Sequence, residues 1–203
     1  MIDKKIFEKE WKFIAGAGNM LHLPKYRNPE FAFIGASNVG KSSIINMVTN
    51  QNIAIASSTP GRTRQLNFFC VDATIPAYPT IVDMPGYGYA RAHKLVVENW
   101  QKLAVEYLTR RTNLKRVFLL IDAVKSIKKA DLEIFDILTA VAASFQVVIT
   151  KIDKIKKEEL VDLEQAMIPI ISKFAAAHPV IIRSSAERKI GNYEIRDSIL
   201  SMI

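Results

Sequence analysis

Between Gly35 and Ser42 the chain reads Gly35-Ala36-Ser37-Asn38-Val39-Gly40-Lys41-Ser42, which fits G-x-x-x-x-G-K-[ST] at every fixed position. A short apolar run, Phe31-Ala32-Phe33-Ile34, enters this stretch, and apolar residues at helical spacing, Ile44, Ile45 and Val48, leave it. Strand, glycine-bounded loop and helix in that order are the context a phosphate-binding loop needs. Glycine lets the backbone curl until its N–H groups face an anion, and the following helix aims its positive end at the same point. Lys41 can then reach the β- and γ-phosphates of a nucleotide, and the Ser42 hydroxyl can ligate Mg²⁺.

The rest of the chain supplies what such a loop requires, a parallel sheet with crossover helices. Strand candidates are Phe31–Ile34, Gln65–Val71, Thr80–Val82, Val117–Ile121, Val147–Ile149 and Val180–Ile182, and helical patterns fill most of the gaps. This alternation predicts an α/β fold with a mostly parallel six-stranded sheet and helices on both faces. One strand should be antiparallel, because the connection from Gln65–Val71 to Thr80–Val82 is too short for a crossover helix. Pro169 should kink or restart the helix it falls in, and Gly191-Asn192 should cap the last one. Residues 1–28 read as a lead-in packed on the domain, and residues 29–203 as the domain itself. At 203 residues and 49% hydrophobic, the chain suits one full-sized core. Its single cysteine, Cys70, sits in an apolar run and reads as a small buried hydrophobe. The charged N-terminus lacks the apolar middle of a signal peptide, and no run approaches a membrane span. A soluble, cytoplasmic protein without membrane contact is expected. The net charge of +8 suits an anionic partner or simply a solvated basic surface.

Four further signals fall at or just past strand ends, where ligands of such sheets bind. Asp83-Met84-Pro85-Gly86 follows the strand Thr80–Val82. Its carboxylate can help hold Mg²⁺, and the Gly86 N–H can approach a γ-phosphate. Thr150-Lys151-Ile152-Asp153 follows Val147–Ile149. A carboxylate there can accept from guanine N1–H and the 2-amino group, donors that adenine lacks, and Lys151 can lie over the base. Ser184-Ser185-Ala186 could offer backbone N–H groups to guanine O6. The polar loop Ser57–Gln65, with Gly61, Arg62, Thr63, Arg64 and Gln65, is of the kind that rearranges, and Thr63 could close over Mg²⁺ when a γ-phosphate is present. Thr59 and Thr63 could equally be plain turn residues.

Taken together, Gly35–Ser43, Pro60–Phe68, Asp83-Met-Pro-Gly-Tyr-Gly-Tyr-Ala90 and Thr150-Lys-Ile-Asp153 resemble the EngB (YihA/YsxC) family of bacterial ribosome-assembly GTPases. The resemblance implies a Ras-like P-loop GTPase fold, GTP and GDP binding, and a role in building the large ribosomal subunit; Mg²⁺-dependent hydrolysis is expected to be slow, because the Tyr87 phenol cannot present a glutamine's donor and acceptor pair. Carried over by position, Ser42 and Thr63 are the Mg²⁺ ligands, Gly61–Gln65 is the first switch, and Lys41, Thr63 and Gly86 serve the reaction. The expected partner is the large ribosomal subunit or its precursor, through rRNA and ribosomal proteins, bound by a monomer. Thr150 stands where most GTPases have Asn, a variant this family shares. Asn38 either holds a potassium ion beside the phosphates, as in related GTPases, or bonds its own backbone. Tyr87, where many small GTPases place a water-orienting glutamine, reads as a packing residue of the second switch.

Two other classes fit parts of the pattern. A regulatory switch binding protein partners in cell division or septation needs no RNA, and the basic residues, including Arg62, Arg64 and Arg91 beside the switches, favour the ribosomal reading over it. An ATP-using P-loop kinase lacks a reason to carry Asp153 in its Thr-Lys-x-Asp setting.

Overall fold

In the computed structural model of the chain, residues 4–55, 65–87 and 94–203 are described, with side chains for 5–55, 65–87 and 102–203. The strands are β1 (Lys12–Ala17), β2 (Glu30–Gly35), β3 (Leu66–Cys70), β4 (Thr80–Asp83), β5 (Leu114–Asp122), β6 (Phe145–Thr150) and β7 (Ile182–Arg183). The helices are α1 (Lys41–Thr49), α2 (Lys94–Arg110), α3 (Lys129–Ala140), α4 (Lys157–Ile171) and α5 (Asn192–Leu200). The sheet order is β1-β3-β4-β2-β5-β6-β7. Only β3 runs against the others, antiparallel to both β1 and β4, while β4, β2, β5, β6 and β7 pair in parallel.

The middles of the central strands are apolar because both faces are covered, as parallel sheets require. Every residue of β2 and β6 is buried. Successive side chains alternate between two cores. Ala32, Ile34, Leu119, Ile121, Val147 and Ile149 face α2, α3 and α4, together with Tyr107, Phe135 and Leu163. Phe31, Phe33, Phe118, Leu120 and Val148 face α1 and α5, together with Ile45 and Ile195. The faces of Phe33 and Phe118 stack at 4.9 Å between ring centres.

The sheet has seven strands, one more than the six read from the sequence, and the extra strand is β1. Its exposure runs from open at Lys12 and Phe13, through three half-buried residues, to buried at Ala17, so no two-residue alternation marks it. The segment before it also enters the core. Ile6, Phe7 and Trp11 are buried, the last two stacked 5.7 Å apart, and Gln51 accepts from the Trp11 N–H and donates to the Lys9 carbonyl. Helix α4 continues through Pro169 to Ile171 instead of restarting. Proline so near the C-terminus forfeits one hydrogen bond in a turn about to end. Gly191 does cap α5, at φ +82°, where an added Cβ would lie 2.3 Å from the Arg183 carbonyl oxygen. None of the helices, among the described residues, is long and apolar enough to cross a membrane.

At the amino end of β2 a buried polar cluster ties three segments together. Glu30 is fully buried and receives Arg111 Nε at 3.0 and 2.9 Å, Arg111 Nη2 at 2.6 Å and the Tyr107 hydroxyl at 2.8 Å. Arg111 also donates to the Pro24 carbonyl and lies 5.4 Å from the Tyr26 ring centre. A buried carboxylate stripped of its guanidinium is left uncompensated, a change that costs about 3–5 kcal/mol. Arg111→Ala should therefore lower stability by about 3 kcal/mol. Urea unfolding checks this through the midpoint; an unchanged midpoint would exclude a supporting role for the cluster.

Candidate functional site

The carboxyl end of β2 delivers Gly35 into a space with no room for a side chain. A Cβ there would lie 2.8 Å from Val39 Cγ1 and 3.0 Å from the Leu120 carbonyl oxygen. The loop then passes through two left-handed residues, Asn38 at φ +64° and Gly40 at φ +101°, before α1 opens at Lys41. Between them Val39 is buried, and its N–H returns to the Ala36 carbonyl at 3.1 Å. A loop curled this way turns its N–H groups inward and leaves carbonyls pointing back into the protein, where they need donors.

Both donors come from the end of β6 and the residue after it. The Thr150 hydroxyl donates to the Val39 carbonyl at 2.7 Å, and Lys151 Nζ donates to the Asn38 carbonyl at 2.6 Å. Thr150 thus bridges base loop and phosphate loop with a hydroxyl. Lys151, itself left-handed at φ +58°, also pairs with Asp122 at 2.7 Å, and Asp122 Oδ1 accepts the Val124 N–H at 3.0 Å.

The Lys41 ammonium meets the Asp83 carboxylate, with both side chains largely buried. After Asp83, the chain is stitched to the phosphate loop residue by residue. Met84 N–H donates to Phe33 C=O at 3.0 Å and Tyr87 N–H to Gly35 C=O at 3.2 Å. The Tyr87 carbonyl accepts from the Ser37 N–H at 3.1 Å and from its hydroxyl at 3.3 Å. Pro85 and Gly86 are buried in this seam, and a Cβ on Gly86 would lie 3.2 Å from the Gly35 oxygen. The Tyr87 side chain packs in the core, as a packing role requires, and its hydroxyl donates to Asp131 Oδ1 at 2.6 Å. Burial first, and then the Asp131 carboxylate, push the phenol far above its usual range, so it stays a donor.

At the base end, Asp153 accepts from the Ser185 hydroxyl, which in turn accepts the Arg188 N–H at 3.1 Å. That hydroxyl, followed by Lys154 at 3.2 Å, holds the Asp153 carboxyl below its ordinary value. The group is therefore an acceptor across the neutral range. Ile152 N–H reaches the Ser184 carbonyl at 3.3 Å, and Ser184 N–H reaches Ile149 C=O at 2.7 Å, so the two base loops are hydrogen-bonded neighbours. Ala186 packs partly buried against the core that holds α1 and α5.

Ser42 lies at the first turn of α1 with its hydroxyl 3.4 Å from the Ile55 carbonyl oxygen. Gly61, Arg62, Thr63 and Arg64 lie outside the described residues, as do Thr59 and Arg91. Gln65 is described, exposed at the start of β3, with its amide donating to Asn67 Oδ1 at 3.1 Å. Sequence reasoning missed Asp122 and Asp131. Both carry a signal that could have found them: one ends an apolar strand, and the other stands three residues after the residue that caps a helix.

Comparison with known proteins agrees with this geometry. Residues 30–151 match the family model described as "50S ribosome-binding GTPase". A relative from Bartonella bacilliformis, named a probable GTP-binding protein EngB, is 44% identical, covering 98% of this chain and 95% of its own length. One from Mesorhizobium japonicum with the same name is also 44% identical, over 98% of this chain and 97% of its own. The chain belongs to the EngB family of GTP-binding proteins. It is a GTPase.

Solved structures share the fold. The crystal structure of a probable GTP-binding protein EngB aligns at TM-score 0.64 and 23% identity, over 85% of this chain and 97% of that one. A point variant of Aquifex aeolicus Era, bound to GDP·AlF4⁻, aligns at 0.71 and 22% identity, over 87% of this chain and 57% of that one.

With Asp153 held as a carboxylate, base choice should rest on it. Asp153→Asn should weaken GTP by on the order of 2–4 kcal/mol and admit xanthosine nucleotides, because an amide can donate to the xanthine 2-oxygen. Titrating GTP, xanthosine triphosphate and ATP against both proteins checks this; equal affinity of the unaltered protein for ATP and GTP would exclude it.

Proposed function

We propose that the protein is a cytoplasmic GTP-driven switch in assembly of the large ribosomal subunit, docking on that subunit or its precursor with GTP and leaving with GDP. The observation that carries the reading is the seam from Asp83 to Tyr87, hydrogen-bonded along the phosphate loop. Any group entering beside Lys41 and Gly86 has to be accommodated by this seam. A γ-phosphate is such a group, so its presence or loss is felt at the start of the second switch. The basic balance of the chain and the ribosome-binding description of its family support the particle as partner.

The residues fit a magnesium ion. Ser42 and Asp83 offer hard oxygens, and the buried Asp83 carboxylate already draws a cation, the Lys41 ammonium. Ser42 would hold the ion directly, with Thr63 as the second ligand implied by the family resemblance and Asp83 supporting it. When bound, Mg²⁺ supplies neutralisation of the charge that builds on the β- and γ-phosphates. Lys41 exchanges Asp83 for phosphate oxygens, the loop N–H groups orient the phosphates, and the Gly86 N–H meets the γ-phosphate. Tyr87 turns its hydroxyl away, onto Asp131, so the side chain after Gly86 does not orient water. Hydrolysis is consequently slow until another group or the partner completes the site.

Asn38, exposed at its left-handed position in the loop, is the residue we propose to hold a potassium ion beside the phosphates. Hydrolysis should rise when potassium replaces sodium at constant ionic strength; identical rates would remove the ion from the reading. The docking itself is tested by co-sedimentation with purified large subunits, using a non-hydrolysable GTP analogue and GDP across a salt series. The analogue state should pellet with the particle and the GDP state should not. Equal binding in both states, or none in either, would overturn the ribosomal role and leave the GTPase.

A further inference from the structure

Helices α3 and α4 open on the same four-residue pattern. It reads Lys128-Lys129-Ala130-Asp131 in one and Lys156-Lys157-Glu158-Glu159 in the other. In each the acid is turned back onto the backbone: Asp131 Oδ2 accepts the Lys128 N–H at 2.7 Å, and Glu159 Oε2 accepts the Lys156 N–H at 2.8 Å. The lysines stay exposed. Their placement is electrostatically costly, since the N-terminal end of a helix already carries partial positive charge. Nothing in the folding of either helix calls for two cations there, and the same arrangement occurs twice.

The topology brings the two doublets together. Strands β5 and β6 are parallel neighbours in register from Val117↔Phe145 to Asp122↔Thr150, and α3 and α4 follow them on the same face of the sheet. Both helix starts thus lie at the carboxyl edge of neighbouring strands, on one face of the sheet. Lys125, also exposed, precedes the first doublet. Against these five lysines stand the exposed carboxylates Glu133, Glu158 and Glu159 and the buried Asp131, the last two turned onto the backbone, whereas Lys151 and Lys154 are already paired with Asp122, Asp153 and Glu187. The cations of this shelf are all lysines. Lysine engages phosphate as a point charge, whereas planar carboxylates are recognised best by arginine. Two helix N-termini aimed at the same strip add to the attraction for phosphate.

The first doublet is also wired to the nucleotide site. Asp131 is buried and uses its two oxygens differently, one for the Lys128 N–H and the other for the Tyr87 hydroxyl. Tyr87 directly follows Gly86, and its own backbone is bridged to Ala36. A displacement of the second switch therefore reaches the cap of α3 through one side chain.

We propose that the lysine doublets opening α3 and α4 form a docking shelf for an RNA phosphate backbone, and that the Tyr87–Asp131 hydrogen bond makes its presentation depend on the bound nucleotide. This rests on the ribosomal reading only for which particle supplies the RNA. The shelf contains none of the nucleotide-binding residues.

The test replaces Lys128, Lys129, Lys156 and Lys157 together by Gln, alongside a Lys-to-Arg quadruple that keeps the charge. Binding of a labelled RNA duplex and of purified large subunits is followed from low to high salt, with fluorescent GDP affinity and thermal unfolding confirming the fold. In the GTP-analogue state the Gln variant should lose about tenfold or more in affinity. Each phosphate contact adds about 0.9 to the salt slope, so that slope should flatten by roughly 2–4. The Arg variant should bind like the unaltered protein, and Tyr87→Phe should bring GTP-analogue and GDP states to nearly the same affinity. Unaltered affinity and slope in the Gln variant overturn the shelf. Binding of polyglutamate in preference to RNA overturns it as well. A full difference between nucleotide states in Tyr87→Phe overturns the wiring. If the unaltered protein binds duplex RNA through these lysines but not the subunit, the shelf stands and the ribosomal reading falls.

Discussion

A phosphate-binding loop must turn its N–H groups toward the ligand, and the opposite face of the same peptides must then be satisfied inside the protein. Here that second half of the problem is solved by one neighbouring loop. Thr150 and Lys151 donate to consecutive carbonyls, those of Val39 and Asn38. Because Thr150 ends β6 and Asp153 lies three residues on, the part of the chain that stiffens the phosphate loop also carries the carboxylate expected to read the base. Asp122, on the strand between them, fixes the lysine that joins the two.

The same logic operates along β2. Its carboxyl end releases the phosphate loop, and its amino end is anchored by Glu30 to Arg111, just past the end of α2. Helix α2 follows the second switch in the chain, so its far end is pinned at the foot of the strand whose head carries the ligand loop.

How much of this was legible in the sequence depended on whether a residue's role is local. The phosphate loop, Asp83–Gly86, Thr150–Asp153 and Ser184–Ala186 were legible because each is a short run at a strand end, and the structure hydrogen-bonds them to one another. The strands β2, β5 and β6 were legible because burial on both faces writes continuous apolar runs. Strand β1 was not, since an edge strand half covered along its length leaves neither a run nor an alternation. Asp131 was not either: its partners are a helix cap and a phenol 44 residues away, and only the packing of α3 beside the second switch unites them. Pro169 misled because its effect depends on distance from the helix end, which the apolar pattern does not mark.

Strand β1 has a consequence for how this molecule can be recognised. Were β3 the border of the sheet, its free N–H and C=O groups would offer a ladder that an incoming strand could extend. With β1 paired along it from Cys70 to Leu66, that ladder is already full. The new border is interrupted between Phe13 and Ala15, where the register slips, and such a bulge spoils a template for further pairing. A partner approaching this side is offered only a short, broken stretch of open backbone, so shape and charge carry more of its recognition.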